Sequence, residues 1–69
     1  MNQGIVKWFD DHKGYGFIVY QDDQEIFVHF TGILDSGFKS LKADEVVSFD
    51  IVEGARGPQA TNVKKLSHD

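Results

Sequence analysis

Between Lys13 and Phe30 the chain sets flat side chains at alternate positions, with cations beside them. One arm reads Lys13-Gly14-Tyr15-Gly16-Phe17-Ile18-Val19 and the other Ile26-Phe27-Val28-His29-Phe30, joined by a polar turn. Alternation with period two identifies both arms as β-strands. Ile18, Ile26 and Val28 share one parity and are aliphatic, the chemistry of a packed core. Tyr15, Phe17, Phe27 and His29 hold the other parity. Core packing is the plainest use of aromatic residues, but the aliphatic parity already supplies a core. The rings are therefore expected outside, where apolar faces side by side cost solvation and call for a partner. Single-stranded nucleic acid matches flat rings next to cations, because its unpaired bases can stack on them. His29 is expected to stack as well and to add one hydrogen bond to a base edge or phosphate.

The cations are few but placed. Lys7, Lys13, Lys39 and Arg56 sit in or beside the aromatic segments and are expected to contact phosphates or, in the case of Arg56, to stack. Lys42, Lys64 and Lys65 have no ring neighbours and read as solvated surface. Eleven Asp and Glu against seven Lys and Arg give a formal charge of −4. That is the wrong sign for a protein that grips phosphate over its whole surface. The acids gather at Asp22-Asp23-Gln24-Glu25, at Asp44-Glu45 and from Asp50 to Glu53, away from most ring positions. Stacking more than counterion release is expected to drive binding, with a shallow salt dependence.

Other chemistries find no support. His12, His29 and His68 show no ligand spacing, so no metal is expected, and no cofactor either. Gly14-Tyr15-Gly16 opens like a nucleotide-binding glycine loop, but the third glycine would fall at Val19 and no helix follows. There is no nucleophile–base pair, nor a carboxylate pair with a pocket to serve it, so the chain reads as neither an enzyme nor a binder of a small-molecule substrate. Cysteine is absent, which excludes disulfides. No apolar run approaches the roughly 20 residues of a membrane span. The start, Met1-Asn2-Gln3-Gly4, has no secretory signal. A soluble, cytoplasmic protein with no membrane role is expected.

Residues 1–69 are expected to form one domain, near the lower size limit for a self-sufficient core. Strands are expected over Gln3–Asp10, Tyr15–Tyr20, Glu25–Phe30, Val46–Glu53 and Gln59–Leu66. In the first, Ile5, Val6, Trp8 and Phe9 leave no clean alternation, which a bulge or a barrel corner would explain. Gly14 and Gly16 on the inner parity let the second strand coil tightly. One 3₁₀-like turn with Ile33 inward is expected after the third strand. In the fourth, Val47, Phe49 and Ile51 are expected inward, and Val46, Ser48, Asp50 and Val52 outward. Phe38 stands in a loop without an apolar neighbour on either side. Short strands joined by turns, with no helical period, imply an all-β, five-stranded antiparallel barrel of the OB-fold type, whose closure removes exposed edges.

The two arms also resemble the paired ribonucleoprotein-type motifs of the cold-shock domain. The resemblance continues through Gly4-Ile5-Val6-Lys7-Trp8-Phe9, Gly37-Phe38-Lys39 and Gly57-Pro58-Gln59-Ala60, in order and over nearly the whole chain. The chain is similar to bacterial cold-shock proteins, which have the OB fold. The resemblance implies that Trp8, Phe9 and Phe30 line the nucleic-acid surface, Phe9 half-buried, and that Phe38 is a mobile stacking ring at its edge. Three positions depart from the family pattern. Asp10 stands where asparagine is common, and, as an acceptor only, is expected to weaken binding or shift base preference at one subsite. Tyr15 replaces phenylalanine and keeps the ring. Asp44 replaces a frequent glycine, and aspartate tolerates a left-handed conformation better than most residues.

The expected partners are single-stranded RNA and single-stranded DNA, with a mild pyrimidine preference. The family implies an ATP-independent RNA chaperone, with roles in transcription antitermination and translation control. The rival reading is a small barrel that docks a protein through its aromatic face, for which the four ring-side cations would be superfluous. A monomer is expected, with strand exchange through the Ser36–Ser40 loop as the alternative.

Overall fold

Each strand has only one face to give to the core, and the chain closes on itself to use them all. The structure is a computed structural model that describes residues 2–34 and 40–66. The strands are β1 (Asn2–Asp10), β2 (Tyr15–Tyr20), β3 (Gln24–His29), β4 (Val46–Gly54) and β5 (Gly57–Lys65). They form a closed barrel in the order β1-β2-β3-β5-β4. A 3₁₀ turn, Phe30–Gly32, follows β3 and delivers Ile33 into the core, as expected. All pairings are antiparallel except the closing seam. There β3 meets β5 in parallel, through Phe27 opposite Gln59 and Val28 opposite Ala60. The expected five-stranded OB-fold barrel is found, and its parallel seam arises because β5 returns beside a strand that is not its neighbour in sequence. β5 also starts two residues earlier than expected, since the β4–β5 connection tightens to Ala55 and Arg56, with Gly54 opposite Gly57.

Two irregularities decide which residues face inward. In β1 the register against β2 shifts between Val6 and Trp8: Val6 lies opposite Ile18, and Trp8 lies opposite Phe17. The extra residue is Lys7. Such a bulge reverses the parity of everything after it. Val6 therefore enters the core fully buried, while Trp8 turns outward with Phe17. The second shift lies in β5, which needs one residue more than β4 between Ser48–Lys64 and Asp50–Thr61. Asn62 takes a φ of 51° there, and its amide donates to Asp50 Oδ2 at 3.0 Å. The bulge lets Ala60 and Val63, three apart in sequence, both point inward.

The core joins the expected Ile18, Ile26, Val28, Ile33, Val47 and Phe49 with Val6, Leu41, Ala60 and Val63. Two expectations for β4 fail. Ile51 is 40% exposed, not inward. The β1–β4 ladder ends at Asn2 opposite Phe49, so beyond that point β4 has only β5 beside it. Ser48, expected outside, is buried. It sits mid-ladder between Gln3 and Lys64, and its side chain is short enough to be covered by its flanking strands. Asp44 has a φ of 72°, the left-handed conformation anticipated for it. Loop residues 35–39 and the tail 67–69 lie outside the described residues, and with them the expectation of strand exchange through residues 36–40.

Gly16 is where two backbones nearly touch. A Cβ built there would stand 2.2 Å from the Trp8 carbonyl oxygen and 2.7 Å from the Phe9 Cα. Such contacts require the backbone to move, so Gly16→Ala should separate β1 from β2 and lower stability strongly. In the core, Ile18→Ala should lose about 2–4 kcal/mol. A domain of this size holds only about 3–5 kcal/mol, so urea titration followed by circular dichroism should find that variant largely unfolded at room temperature.

Candidate nucleic-acid interface

The pairing of β1, β2 and β3 brings the rings together on the outer surface of one sheet. Trp8, Phe17 and Phe27 lie in one cross-strand row, and Tyr15 lies opposite His29 in the next. The centroids of Trp8 and Phe17 are 5.5 Å apart, those of Phe17 and Phe27 5.9 Å, and those of Tyr15 and Phe27 5.7 Å. Trp8 also meets Tyr15 edge-on at 5.9 Å. From Phe27 the chain of rings continues to His29 at 6.5 Å and from His29 to Phe30 at 4.7 Å. These separations are those of mutually supporting aromatic pairs. Trp8 is 39% and Phe30 42% exposed, while Tyr15, Phe17, Phe27 and His29 are half-buried, each showing part of its ring to solvent.

Backbone details hold this surface in place. Gly14 has a φ of 77°, and a Cβ there would fall 2.7 Å from Phe30 Cδ1, so the Phe30 ring lies where only glycine leaves room. The Phe30 N–H donates to the Gly14 carbonyl at 2.8 Å. His29 Nδ1 accepts the Thr31 N–H at 3.3 Å and lies 2.9 Å from Thr31 Oγ1. In a neutral ring, an accepting Nδ1 leaves the proton on Nε2.

The expected cations divide. Arg56, on the β4–β5 turn, places its guanidinium carbon 5.9 Å from the Phe27 ring centroid, within cation–π range. Lys13 is exposed in the turn between β1 and β2. Lys7 is not an independent cation: its Nζ pairs with Glu25 Oε2 at 2.8 Å, both side chains well exposed. The separation of acids from rings is thus incomplete, for Glu25 stands on the same outward parity of β3 as Phe27. Phe38 and Lys39 lie outside the described residues. Phe9 is half-buried, as expected, and packs partly against the core. Gln59, unremarked in the sequence, joins Tyr15, Phe27, His29 and Arg56 around one hollow of this face. Only the parallel seam brings it there, and a parallel pairing leaves no signal in the alternation of either strand. Among the described residues, no cluster of His, Asp and Glu could hold a metal ion, and no helix is long and apolar enough to cross a membrane.

Asp10 has a structural occupation. Its Oδ1 accepts the backbone N–H of His12 at 2.9 Å and of Lys13 at 3.0 Å, closing the turn that leads into β2. The Lys13 bond chiefly, with that of His12, holds the Asp10 carboxyl below the usual carboxylate range. The carboxylate thus fastens the turn through Oδ1.

A small OB-fold barrel with an outward aromatic sheet is the class that this fold and surface define. The comparisons make the assignment specific: the model of the "'Cold-shock' DNA-binding domain" matches residues 2–66. The cold shock protein CspB of Geobacillus stearothermophilus is 58% identical over 66 residues, 96% of this chain and 100% of that protein. The cold shock protein CspD of Bacillus subtilis is 56% identical over the same shares. The solved structure of drosophila Unr CSD456 superposes with a TM-score of 0.77 at 25% identity, covering 96% of this chain and 26% of that one. The chain belongs to the cold-shock domain family.

The sign of the Asp10 effect can be worked out. A carboxyl whose pKa is lowered by folding stabilises the fold fully above its ordinary value of about 3.9, and that contribution disappears as pH falls through the folded value. Asp10→Asn keeps the acceptor oxygen and removes the charge. Thermal melts should show the variant below the parent at neutral pH, with the gap closing in strong acid.

Proposed function

We propose that the chain binds single-stranded RNA and single-stranded DNA, with low sequence specificity and a mild preference for pyrimidines. The observation that carries this reading is the unbroken run of rings from Trp8 through Phe17, Phe27 and His29 to Phe30, on the outside of a barrel whose core is already filled by aliphatic residues. Successive bases stack on Trp8, Phe17, Phe27, His29 and Phe30. Arg56 and Lys13 contact the backbone, His29 Nε2–H donates to a base edge or phosphate, and Phe38 and Lys39 add a further stacking ring and phosphate contact. Stacking of this kind contributes about 1–3 kcal/mol per base, so three or four contacts support micromolar binding or better. A duplex, whose bases offer no free faces, binds poorly.

Held on such a surface, a strand cannot close into a transient hairpin. The chain therefore acts as a monomeric, cytoplasmic RNA chaperone that needs no ATP and performs no catalysis. Transcription antitermination and translation control are consequences of the same act at particular transcripts.

Titration with a short oligothymidine, followed by the fluorescence of Trp8, tests this. The single strand should quench Trp8 and a duplex of equal length should not. Phe17→Ala and Phe27→Ala should each weaken binding by about 1–3 kcal/mol. Lys7 is held by Glu25, leaving Lys13, Lys39 and Arg56 for phosphates. At about 0.7 per contact, log affinity should fall with log salt at a slope near −2. Absence of binding at low salt, or equal binding of the duplex, overturns the reading.

A further inference from the structure

The outer surface of the sheet changes character from one row to the next. Beside the row of Trp8, Phe17 and Phe27 runs a second row in register: Glu25 on β3, Val19 on β2, Ile5 on β1 and Val46 on β4. Ile5 is 49% and Val46 38% exposed, with Val19 half-buried between its neighbours. Val19, Ile5 and Val46 line a shallow, open groove together with Asp22 and Asp23 of the turn between β2 and β3. Every charged side chain lining that groove is a carboxylate. The Lys7–Glu25 ion pair stands at the boundary between the two rows, Lys7 being the bulged residue itself.

This arrangement does not continue the nucleic-acid surface. A phosphate backbone passing the ion pair would meet Glu25, Asp22 and Asp23, which repel it. It is also a poor seat for a second copy, since the chain carries eleven acids against seven Lys and Arg. An aliphatic strip with an acidic rim complements a cationic segment that carries apolar side chains. We propose that the Val19–Ile5–Val46 row, with Asp22 and Asp23, is a second docking surface, and that it takes a segment of a partner protein in which apolar side chains alternate with lysine or arginine. The apolar side chains cover Ile5 and its neighbours, and the cations reach the two aspartates. A nucleic acid and such a protein can then occupy the barrel together, on adjacent rows divided by the ion pair.

The test is a nuclear magnetic resonance titration of the full chain, isotopically labelled, with the peptide acetyl-Lys-Val-Lys-Leu-Lys-Val-Lys-amide and its glutamate counterpart. The lysine peptide should shift the amides of Gln3 to Ile5, Val19 to Asp23 and Val46, and leave those of Tyr15, Phe17 and Phe27 in place. The glutamate peptide should shift neither set. Asp22→Asn combined with Asp23→Asn should raise the Kd about fivefold, and Ile5→Ser should raise it further; neither change buries or exposes core. Both variants should bind oligothymidine as the parent does, and that measurement on the same samples separates a failure here from a failure at the rings. Shifts confined to the ring face, equal binding of the glutamate peptide, indifference to the three substitutions, or no shift at about 1 mM peptide would each overturn the proposal.

Discussion

The bulge at Lys7 is the constraint on which the rest depends. A regular β1 would send Val6 and Trp8 to the same side, and either choice fails: the core would lose Val6 or be forced to hold an indole. One extra residue resolves the conflict. Val6 goes in opposite Ile18, Trp8 goes out opposite Phe17, and the first strand serves the core with its first half and the ring surface with its second. The same residue then supplies the cation that pairs with Glu25 and marks where the rings give way to aliphatic side chains. The bulge in β5 does comparable work for Ala60 and Val63. In a barrel this small there is little spare core, so a local insertion of one residue is the cheapest way to change what a strand presents.

The glycines belong to the same logic. Gly16 lets β1 and β2 approach at the point where the bulge has tightened the twist, and Gly14 leaves the space that Phe30 fills. The aromatic surface is therefore held by its underside. Rings on a flexible support would lose conformational entropy on binding, whereas rings already leaning on one another along β1, β2 and β3 are ordered in advance. Net charge fits this picture. Lys7 is engaged by Glu25, so the face shows more ring than unpaired cation.

Most of the fold was legible in the sequence. Period-two alternation located β2, β3 and β4, and the turn residues separated the strands. The need to bury one aliphatic face in so short a chain pointed to closure. The division between Ile18, Ile26, Val28 and the rings Tyr15, Phe17, Phe27 was readable because β2 and β3 are regular, with side-chain parity maintained along their length. Where regularity ended, so did legibility. Ile51 alternates with Val47 and Phe49, yet it is exposed because its neighbouring strand stops. Leu41 looks like a loop residue but is buried. Gln59 and the Lys7–Glu25 pair could not be foreseen, since each depends on which strands lie side by side and in what register.

The sequence by itself determined the strand count, the aliphatic core of β2 and β3, and the chemistry of the rings on their opposite parity, all consequences of local alternation and residue type. Tertiary structure decided the parallel seam, the burial of Ser48 and Leu41, the pairing that engages Lys7, and the turn-closing task of Asp10. Those features follow from contacts between residues far apart in the chain, where closure of the barrel sets distances that local pattern does not encode.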